Sequence, residues 1–398
     1  MPLKSLGEVI EVPMKNSSSL SLPLDFNPSF DGFRGLAILL VILSHSYMPS
    51  SQSQLNRYWH WISITGWVGV DMFFVLSGFL ITRILISSKT SQSYFKNFYV
   101  RRCLRIFPLY YLFLFFCFFI SSDLIRLKPL FPVDKTHLLS HLTLTSNLLF
   151  AKLGFSPESV VDISWSLSIE EQFYLFWPLL VWKSSVKNLR LYCLGILLLS
   201  ETLRGFQYLI HGSMNETYFF TLTRWDGMIW GASLATLFFD PPLLNTFLKK
   251  SPFILSISFL MVLLSFSNGI HTSSPLLQLI GLPSLAIFFT ALLLQLTSES
   301  ILTPFFQIPF LRTLGRFSYG LYLLHQLVIA AFINTHLFTS SWPWFQEIPL
   351  LGTILFQLIA LLLSLLLAIL VYYCFEIHFL NLKRFFYAPR RLLVAVEN

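Results

Sequence analysis

Apolar residues occur along most of the chain in long runs, and short polar stretches separate one run from the next. A transmembrane helix needs about 20 predominantly apolar residues. Runs near this length predict an all-α, polytopic membrane bundle of about 10 transmembrane helices. The predicted spans lie near 33–50, 65–86, 103–121, 165–183, 190–209, 221–239, 252–268, 275–296, 317–338 and 349–377.

Basic residues concentrate in alternate loops between these spans, which is typical of cytoplasmic loops in membrane proteins. The pattern predicts that both termini are cytoplasmic. It divides the chain into an N-terminal cytoplasmic tail (1–31), a membrane domain (32–378) and a C-terminal cytoplasmic tail (379–398).

The composition agrees with a membrane protein and excludes an ordinary soluble domain. The chain has 398 residues, of which 55% are hydrophobic and 12% charged, whereas soluble domains carry about 25% charged residues. The net charge of +8 follows from the basic cytoplasmic loops, so we expect no nucleic acid partner.

The first predicted span, DGFRGLAILLVILSHS, contains two residues that are costly inside a bilayer, Arg34 and His45. At ~100° and ~1.5 Å per residue, an eleven-residue separation brings both side chains to the same helix face, ~16 Å apart. The helix therefore presents a cation near the cytoplasmic edge and an imidazole in the outer half of the membrane, on one side.

Other spans also contain ionisable residues, each of which costs at least ~2.5–3.5 kcal/mol on insertion. We expect Asp71, Glu170, Arg224 and Asp226 at an outer-half depth similar to that of His45. The groups expected near the inner side are Arg34, Arg102, Arg105, His325 and Glu376. Each could be explained alone by pairing or topology, but together they indicate a cavity with a basic cytoplasmic entrance.

Such a cavity suits group transfer. A neutral imidazole is the usual general base for a hydroxyl, and either Asp71 or Glu170 could fix its tautomer. Arginine binds phosphate oxygens in two places, which favours an anionic donor on the cytoplasmic side. The sequence has no zinc-site or serine-hydrolase motif, so we expect no metal. A transporter would use similar intramembrane charges, so this alternative stays open.

Six motifs in order resemble the integral membrane acyltransferase-3 family, which includes bacterial O-antigen acetylases. They cover the chain from about 30 to 378 and read DGFRGLAILLVILSH, GWVGVDMFFVLSGFLIT, FYVRRCLRIFPLYYL, SWSLSIEEQFYLFWPLL, RWDGMIWGASLA and LGRFSYGLYLLHQ. Some members carry a C-terminal SGNH esterase-like domain, and we expect none here because the chain ends about twenty residues after its last predicted span.

The resemblance assigns roles to individual residues. His45 matches the essential histidine of the family, Arg34 its paired arginine, and Arg102 and Arg105 its Arg-x-x-Arg motif. Glu170 matches the glutamate of the WSL motif. Tyr322 and His325 match the YLLH motif. Glu376 matches a final glutamate that proline usually follows, whereas Ile377 follows it here.

The resemblance implies transfer of an acyl group, most often acetyl from acetyl-CoA, to a hydroxyl of a cell-envelope carbohydrate such as lipopolysaccharide O-antigen. The predicted catalytic residues are His45, Glu170 and Asp71, and the predicted donor-binding residues are Arg34, Arg102 and Arg105. Arg224, Asp226, Tyr322, His325 and Glu376 would support them.

The implied partners are acyl-CoA, a carbohydrate that could be lipid-linked, and membrane lipids, and the implied location is the bacterial inner membrane. The alternatives are a transporter or flippase of a lipid-linked sugar, a membrane protein in which these residues only pack, and an acyltransferase for a small molecule. His45 could act as a general base or carry the acyl group transiently.

Overall fold

The computed structural model describes residues 27–47, 54–121, 130–153, 159–211, 215–267, 269, 274–335 and 349–386. Within these ranges the chain is all-α and contains no strand, as the sequence predicted. Residues 1–26 of the predicted N-terminal tail (1–31) and 387–398 of the predicted C-terminal tail (379–398) lie outside the described residues, and so do 48–50 of the first predicted span, 268 of the seventh and 336–338 of the ninth.

The helices follow one another with short connections. They are α1 (Pro28–His45), α2 (Gln54–Ile64), α3 (Val68–Ser88), α4 (Tyr94–Phe115), α5 (Leu138–Leu142), α6 (Ser146–Leu153), α7 (Ser164–Lys183), α8 (Val186–His211), α9 (Asn215–Phe219), α10 (Thr221–Arg224), α11 (Asp226–Leu237), α12 (Pro241–Phe266), α13 (Leu282–Gln295), α14 (Thr303–Phe306), α15 (Pro309–Arg316), α16 (Ser318–Asn334), α17 (Pro349–Val371) and α18 (Ile377–Leu382). Wider π-helical turns occur at Phe116–Ser121, Leu277–Gly281 and Tyr372–Glu376, and tighter 3₁₀ turns at Thr65–Trp67, Lys135–His137 and Lys383–Phe386.

Six helical segments of the described chain are long and apolar enough to cross a membrane, and a seventh is added if α15 and α16 form one bent span. The predicted count of about ten is therefore not confirmed. The other three predicted spans are helical in α1, α7 and α11, but α1 and α7 contain ionisable residues and α11 has only 12 residues. These three helices lie inside the bundle, where they carry many of the predicted site residues.

Glycines allow the central helices to pack backbone against backbone. A Cβ on Gly35 of α1 would lie 1.9 Å from the Leu311 carbonyl oxygen of α15, and one on Gly78 of α3 would lie 1.8 Å from the Met228 carbonyl oxygen of α11. Small residues at such crossings are typical of membrane bundles, since tight van der Waals packing there replaces hydrophobic burial. The close crossings hold α1, α3, α11 and α15 together as the centre of the fold.

The chain bends by 81° between α15 and α16. α15 crosses the first half of α1, where a Cβ on Gly315 would lie 1.7 Å from the Asp31 carbonyl oxygen. After the bend, α16 runs into the bundle beside α1. The bend therefore determines how far into the bundle the residues of α16 lie.

Candidate active site

A cavity of about 350 Å³ lies between α3, α4, α7 and α16, with Arg34 of α1 in its wall. This volume falls within the range of about 300–1,000 Å³ that is typical of small-molecule sites. Five basic side chains and one carboxylate are among the described residues that line it: Arg34, Arg101, Arg102, Arg105, Lys383 and Glu170. A cavity with this charge balance favours an anionic ligand.

The arginines of α4 reach the cavity because Arg102 and Arg105 are three residues apart and share a helix face. The Arg102 guanidinium stacks 5.1 Å from the ring centre of Tyr174 and 5.9 Å from that of Phe98. Arg34 donates to the Asp31 carboxylate at 3.0 Å, which neutralises part of its charge. The structure places Arg34, Arg102 and Arg105 in the wall of one cavity, and their role in binding a donor stays a prediction.

Glu170 also lines the cavity and accepts a hydrogen bond of 2.5 Å from the Ser77 hydroxyl of α3. Ser77 is followed by Gly78, whose close approach to α11 fixes this part of α3. Ser77 and Gly78 therefore have different roles: Gly78 allows the helix crossing, and Ser77 donates to the half-buried carboxylate of Glu170.

His45 and His325 form a hydrogen bond between their side chains, with Nδ1 of His45 3.0 Å from Nε2 of His325. The rings are stacked with centroids 5.1 Å apart. The sequence placed His325 near the inner side and His45 in the outer half, and this separation is wrong. The bend before α16 brings His325 into the middle of the bundle, where it is fully buried, while His45 is exposed.

The hydrogen bonds of this pair determine its tautomers. Nδ1 of His325 lies 3.0 Å from the Leu321 carbonyl oxygen, which can only accept, so this nitrogen carries the proton. Nε2 of neutral His325 is then an acceptor, and His45 must donate to it from Nδ1. This leaves Nε2 of His45 without a proton, and no side chain of the described residues hydrogen-bonds to it.

Tyr322 connects the cavity with the histidine pair. Its ring lines the cavity and lies 6.0 Å from the ring of His325. Its hydroxyl is 2.6 Å from the Ser166 hydroxyl and donates to the Ile163 carbonyl at 2.9 Å. The YLLH motif thus brings Tyr322 to the cavity and His325 to His45, one helical turn apart.

Asp71 does not reach His45. Its carboxylate accepts a hydrogen bond of 2.8 Å from Arg224, and both side chains are buried. The Arg224 guanidinium also stacks on Phe74 and Tyr218, at 5.4 and 4.7 Å from the ring centres. The expected contact of Asp71 or Glu170 with the imidazole is therefore not observed. These contacts depend on the direction of each side chain around its helix, which the sequence pattern did not predict.

Asp226 belongs to a second buried cluster. Arg204 of α8 donates to Asp226 and, at 2.7 Å, to Glu201. Breaking such a buried pair by removing one partner typically costs about 3–5 kcal/mol. The positions of Arg224 and Asp226 therefore point to stabilising ion pairs between helices rather than to contact with a substrate.

Glu376 lies in the π-helical turn at the end of α17, beside a second cavity of about 40 Å³. Arg105 lines both cavities, and the carboxylate oxygen of Glu376 is 3.1 Å from the position of a Cβ on Gly320. Glu376 therefore lines only the small cavity, and Arg105 lies between Glu376 and the large one.

Sequence reasoning missed several polar residues of the cavity. No role was predicted from the sequence for Lys383, Ser166 or Tyr174, and all three line the cavity. Ser166 lies four positions before Glu170 on α7, and Tyr174 lies four positions after it. This i, i+4 spacing places all three side chains on one helix face and was the available sequence signal for Ser166 and Tyr174.

Comparison with known proteins identifies the family to which this chain is similar. An acyltransferase domain family, acyltransferase-3, matches residues 27–373. The peptidoglycan O-acetyltransferase OatA of Listeria monocytogenes is 31% identical over 323 residues, which cover 76% of this chain and 49% of that protein. A putative O-acetyltransferase of Staphylococcus aureus is 29% identical over 359 residues, covering 83% of this chain and 55% of that protein.

A putative peptidoglycan O-acetyltransferase of Bacillus subtilis, YrhL, is 32% identical over 225 residues, which cover 52% of this chain and 33% of that protein. The chain spans about half the length of the first two relatives. No solved structure gives a significant match. The family match covers most of the apolar helices described above, and the chain therefore belongs to the acyltransferase-3 family, as a multi-pass membrane protein that carries the acyltransferase domain.

Proposed function

We propose that this protein transfers an acetyl group from acetyl-CoA to a hydroxyl of a cell-envelope carbohydrate, with His45 as the reacting base. The observation that carries the proposal is the tautomer of His45. Its hydrogen bond to His325 leaves Nε2 of His45 unprotonated, and the ring of His325 lies 6.0 Å from that of Tyr322, which lines the cationic cavity.

The donor is assigned from the chemistry of the cavity. Guanidinium groups bind phosphate oxygens in pairs, and CoA carries phosphates together with a long thiol arm. In the proposal Arg102 and Arg105 hold the phosphates near the cytoplasmic side. The thioester end lies toward Tyr322, the lining residue that contacts His325.

The transfer step then follows. Nε2 of His45 takes the proton of the acceptor hydroxyl while the hydroxyl oxygen attacks the thioester carbonyl carbon. The carbon–sulfur bond breaks, an ester forms, and the CoA thiolate leaves with the proton that the His45 imidazolium gives up, which restores neutral His45. The same lone pair could instead accept the acetyl group as a transient acyl-imidazole, which the hydroxyl would attack in a second step.

The acceptor is proposed from the relatives. OatA and YrhL are named as a peptidoglycan O-acetyltransferase and a putative one, so a peptidoglycan sugar is the first candidate acceptor. Lipopolysaccharide O-antigen and lipid-linked sugars are further candidates within the same class. The named relatives are bacterial, which supports a location in the bacterial cytoplasmic membrane.

Transfer of radiolabelled acetyl groups tests this function. Membranes containing the wild type, His45→Ala or His137→Ala at matched protein levels are incubated with labelled acetyl-CoA. Peptidoglycan, lipopolysaccharide, lipid-linked sugars and small molecules are then counted separately. His137 serves as the control because it lies in a 3₁₀ turn that does not line the cavity.

We expect alkali-labile label in one carbohydrate fraction with the wild type and the control, and about a hundredfold less with His45→Ala. Equal labelling with all three proteins would remove His45 from the mechanism. Label in the small-molecule fraction alone would change the acceptor class. Sugar flux without label transfer would favour a transporter.

A further inference from the structure

α17 contains one long polar side chain within an otherwise apolar sequence. Gln357 lies in the most apolar of the described segments that could cross a membrane, and it is only 2% exposed. Burying an amide costs free energy unless its hydrogen bonds are satisfied. The hydrogen-bond partners of Gln357 therefore show how the cost of burying this amide is offset.

The amide of Gln357 joins three helices. Its oxygen accepts from the Trp59 indole nitrogen of α2 at 2.9 Å. Its nitrogen donates to the Leu43 carbonyl of α1 at 3.0 Å and to the Ser63 hydroxyl of α2 at 3.2 Å. Because the indole can only donate and the carbonyl can only accept, the orientation of the amide is fixed.

The Leu43 carbonyl lies in the last turn of α1, two residues before His45. The last four carbonyls of a helix lack a partner within the helix. The Ile42 carbonyl is satisfied by the N–H of Ser46 at 2.9 Å, whereas that of Leu43 receives the amide of Gln357. Gln357 thus holds the turn that carries His45, while His325 holds its ring.

We propose that Gln357 is a positioning residue for His45, and that Trp59 orients the Gln357 amide for this task. This role rests on the proposed function, in which Nε2 of His45 reacts. Gln357 does not line the donor cavity. Its loss should therefore lower the rate of transfer and leave the binding of donor unchanged.

Gln357→Leu removes both halves of the contact, and Trp59→Phe removes only the indole N–H that orients the amide. Gln295→Leu is the matched control. The Gln295 amide also joins two helices, by donating to the Ser251 hydroxyl at 2.7 Å, but it touches neither α1 nor the cavity lining. All three proteins are compared with the wild type in detergent and in membranes.

We expect kcat to fall about tenfold or more in Gln357→Leu and by a smaller factor in Trp59→Phe, with the KM for acetyl-CoA within about twofold. Gln295→Leu should keep the wild-type kcat. A kcat within about twofold of wild type in Gln357→Leu, or an equal loss in Gln295→Leu, would overturn the proposal.

A second measurement does not depend on turnover. Diethyl pyrocarbonate modifies the unprotonated nitrogen of histidine, and the rate at His45 can be followed by peptide mass spectrometry. Release of the last turn of α1 should raise this rate about threefold or more in Gln357→Leu, and an unchanged rate would overturn the positioning role. If the rate rises although the wild type transfers no acetyl group, the proposed function fails and the positioning of His45 stands.

Discussion

The crossing of α3 and α11 at Gly78 gives a direct test of how the fold positions the cavity. In Gly78→Ala, the new Cβ would lie 1.8 Å from the Met228 carbonyl oxygen and 2.6 Å from its carbon. These atoms belong to helical backbone, which cannot rotate away as a side chain can. The helices would have to separate by roughly 1.5 Å to restore ordinary contact distances.

Overpacking of this kind typically costs about 1–3 kcal/mol, and here the backbone contact favours the upper end of that range. Separation of the helices would also move Ser77, whose hydroxyl is bonded to Glu170 at the cavity wall. We therefore expect Gly78→Ala to lower thermal stability and to weaken binding of a fluorescent CoA analogue.

Gly195→Ala is the matched control, because a Cβ there meets nothing within 4 Å. Replacing an exposed helical glycine by alanine gains about 0.5–1 kcal/mol, so this variant should be as stable as the wild type or more so. The assay is thermal unfolding of both variants in the same detergent, together with titration of the analogue. A Gly78→Ala protein as stable as Gly195→Ala would refute the proposed packing of α3 on α11.

Three further outcomes follow from the polar residues. Asp71→Asn leaves the Arg224 guanidinium buried without its charged partner, so the free energy of unfolding should fall by about 3–5 kcal/mol. Reversible denaturation measures this change. A loss below about 1 kcal/mol would contradict the pairing. Glu170→Gln keeps the contact with Ser77 but removes the negative charge from the cationic cavity. We expect the rate of acetyl transfer to fall while the stability of the protein changes little. Wild-type turnover would exclude a role for this charge. Burial raises the pKa of Asp162, just before α7, to about 7. The folded state therefore retains a proton that the unfolded state has lost, and stability falls as the pH rises toward 7. Asp162→Asn should accordingly raise the melting temperature more at pH 8 than at pH 5, and an equal shift at both values would contradict this assignment.

Much of the cavity could be predicted because its residues follow helical spacing. Arg102 and Arg105 share a face of α4, as their spacing predicts. The sequence predicts Glu170 in the outer half with His45, whereas Glu170 lines the same cavity as Arg34, Arg102 and Arg105. Hydropathy and motif order were sufficient for the helical class and the family. The count of ten spans stays a prediction, because α1, α7 and α11 are too polar or too short to be recognised by length and hydropathy alone.

The contacts of the histidines could not be predicted. His325 contacts His45 only because the chain turns by 81° before α16. The spacing of apolar residues along the sequence does not predict such an angle between two helices. Asp71 pairs with Arg224, and Gln357 with the end of α1, across distances of 153 and 314 residues along the chain. These pairings depend on how the helices are rotated about their axes, which tertiary packing decides.

The central claim is that His325 holds His45 in the tautomer whose Nε2 can react. The most direct measurement compares kcat for acetyl transfer in His325→Gln and His325→Leu. The glutamine oxygen can still accept the Nδ1–H of His45, whereas leucine cannot. We predict that His325→Gln retains at least about a tenth of the wild-type kcat and that His325→Leu loses about a hundredfold or more. Equal activity of the two variants would contradict the claim.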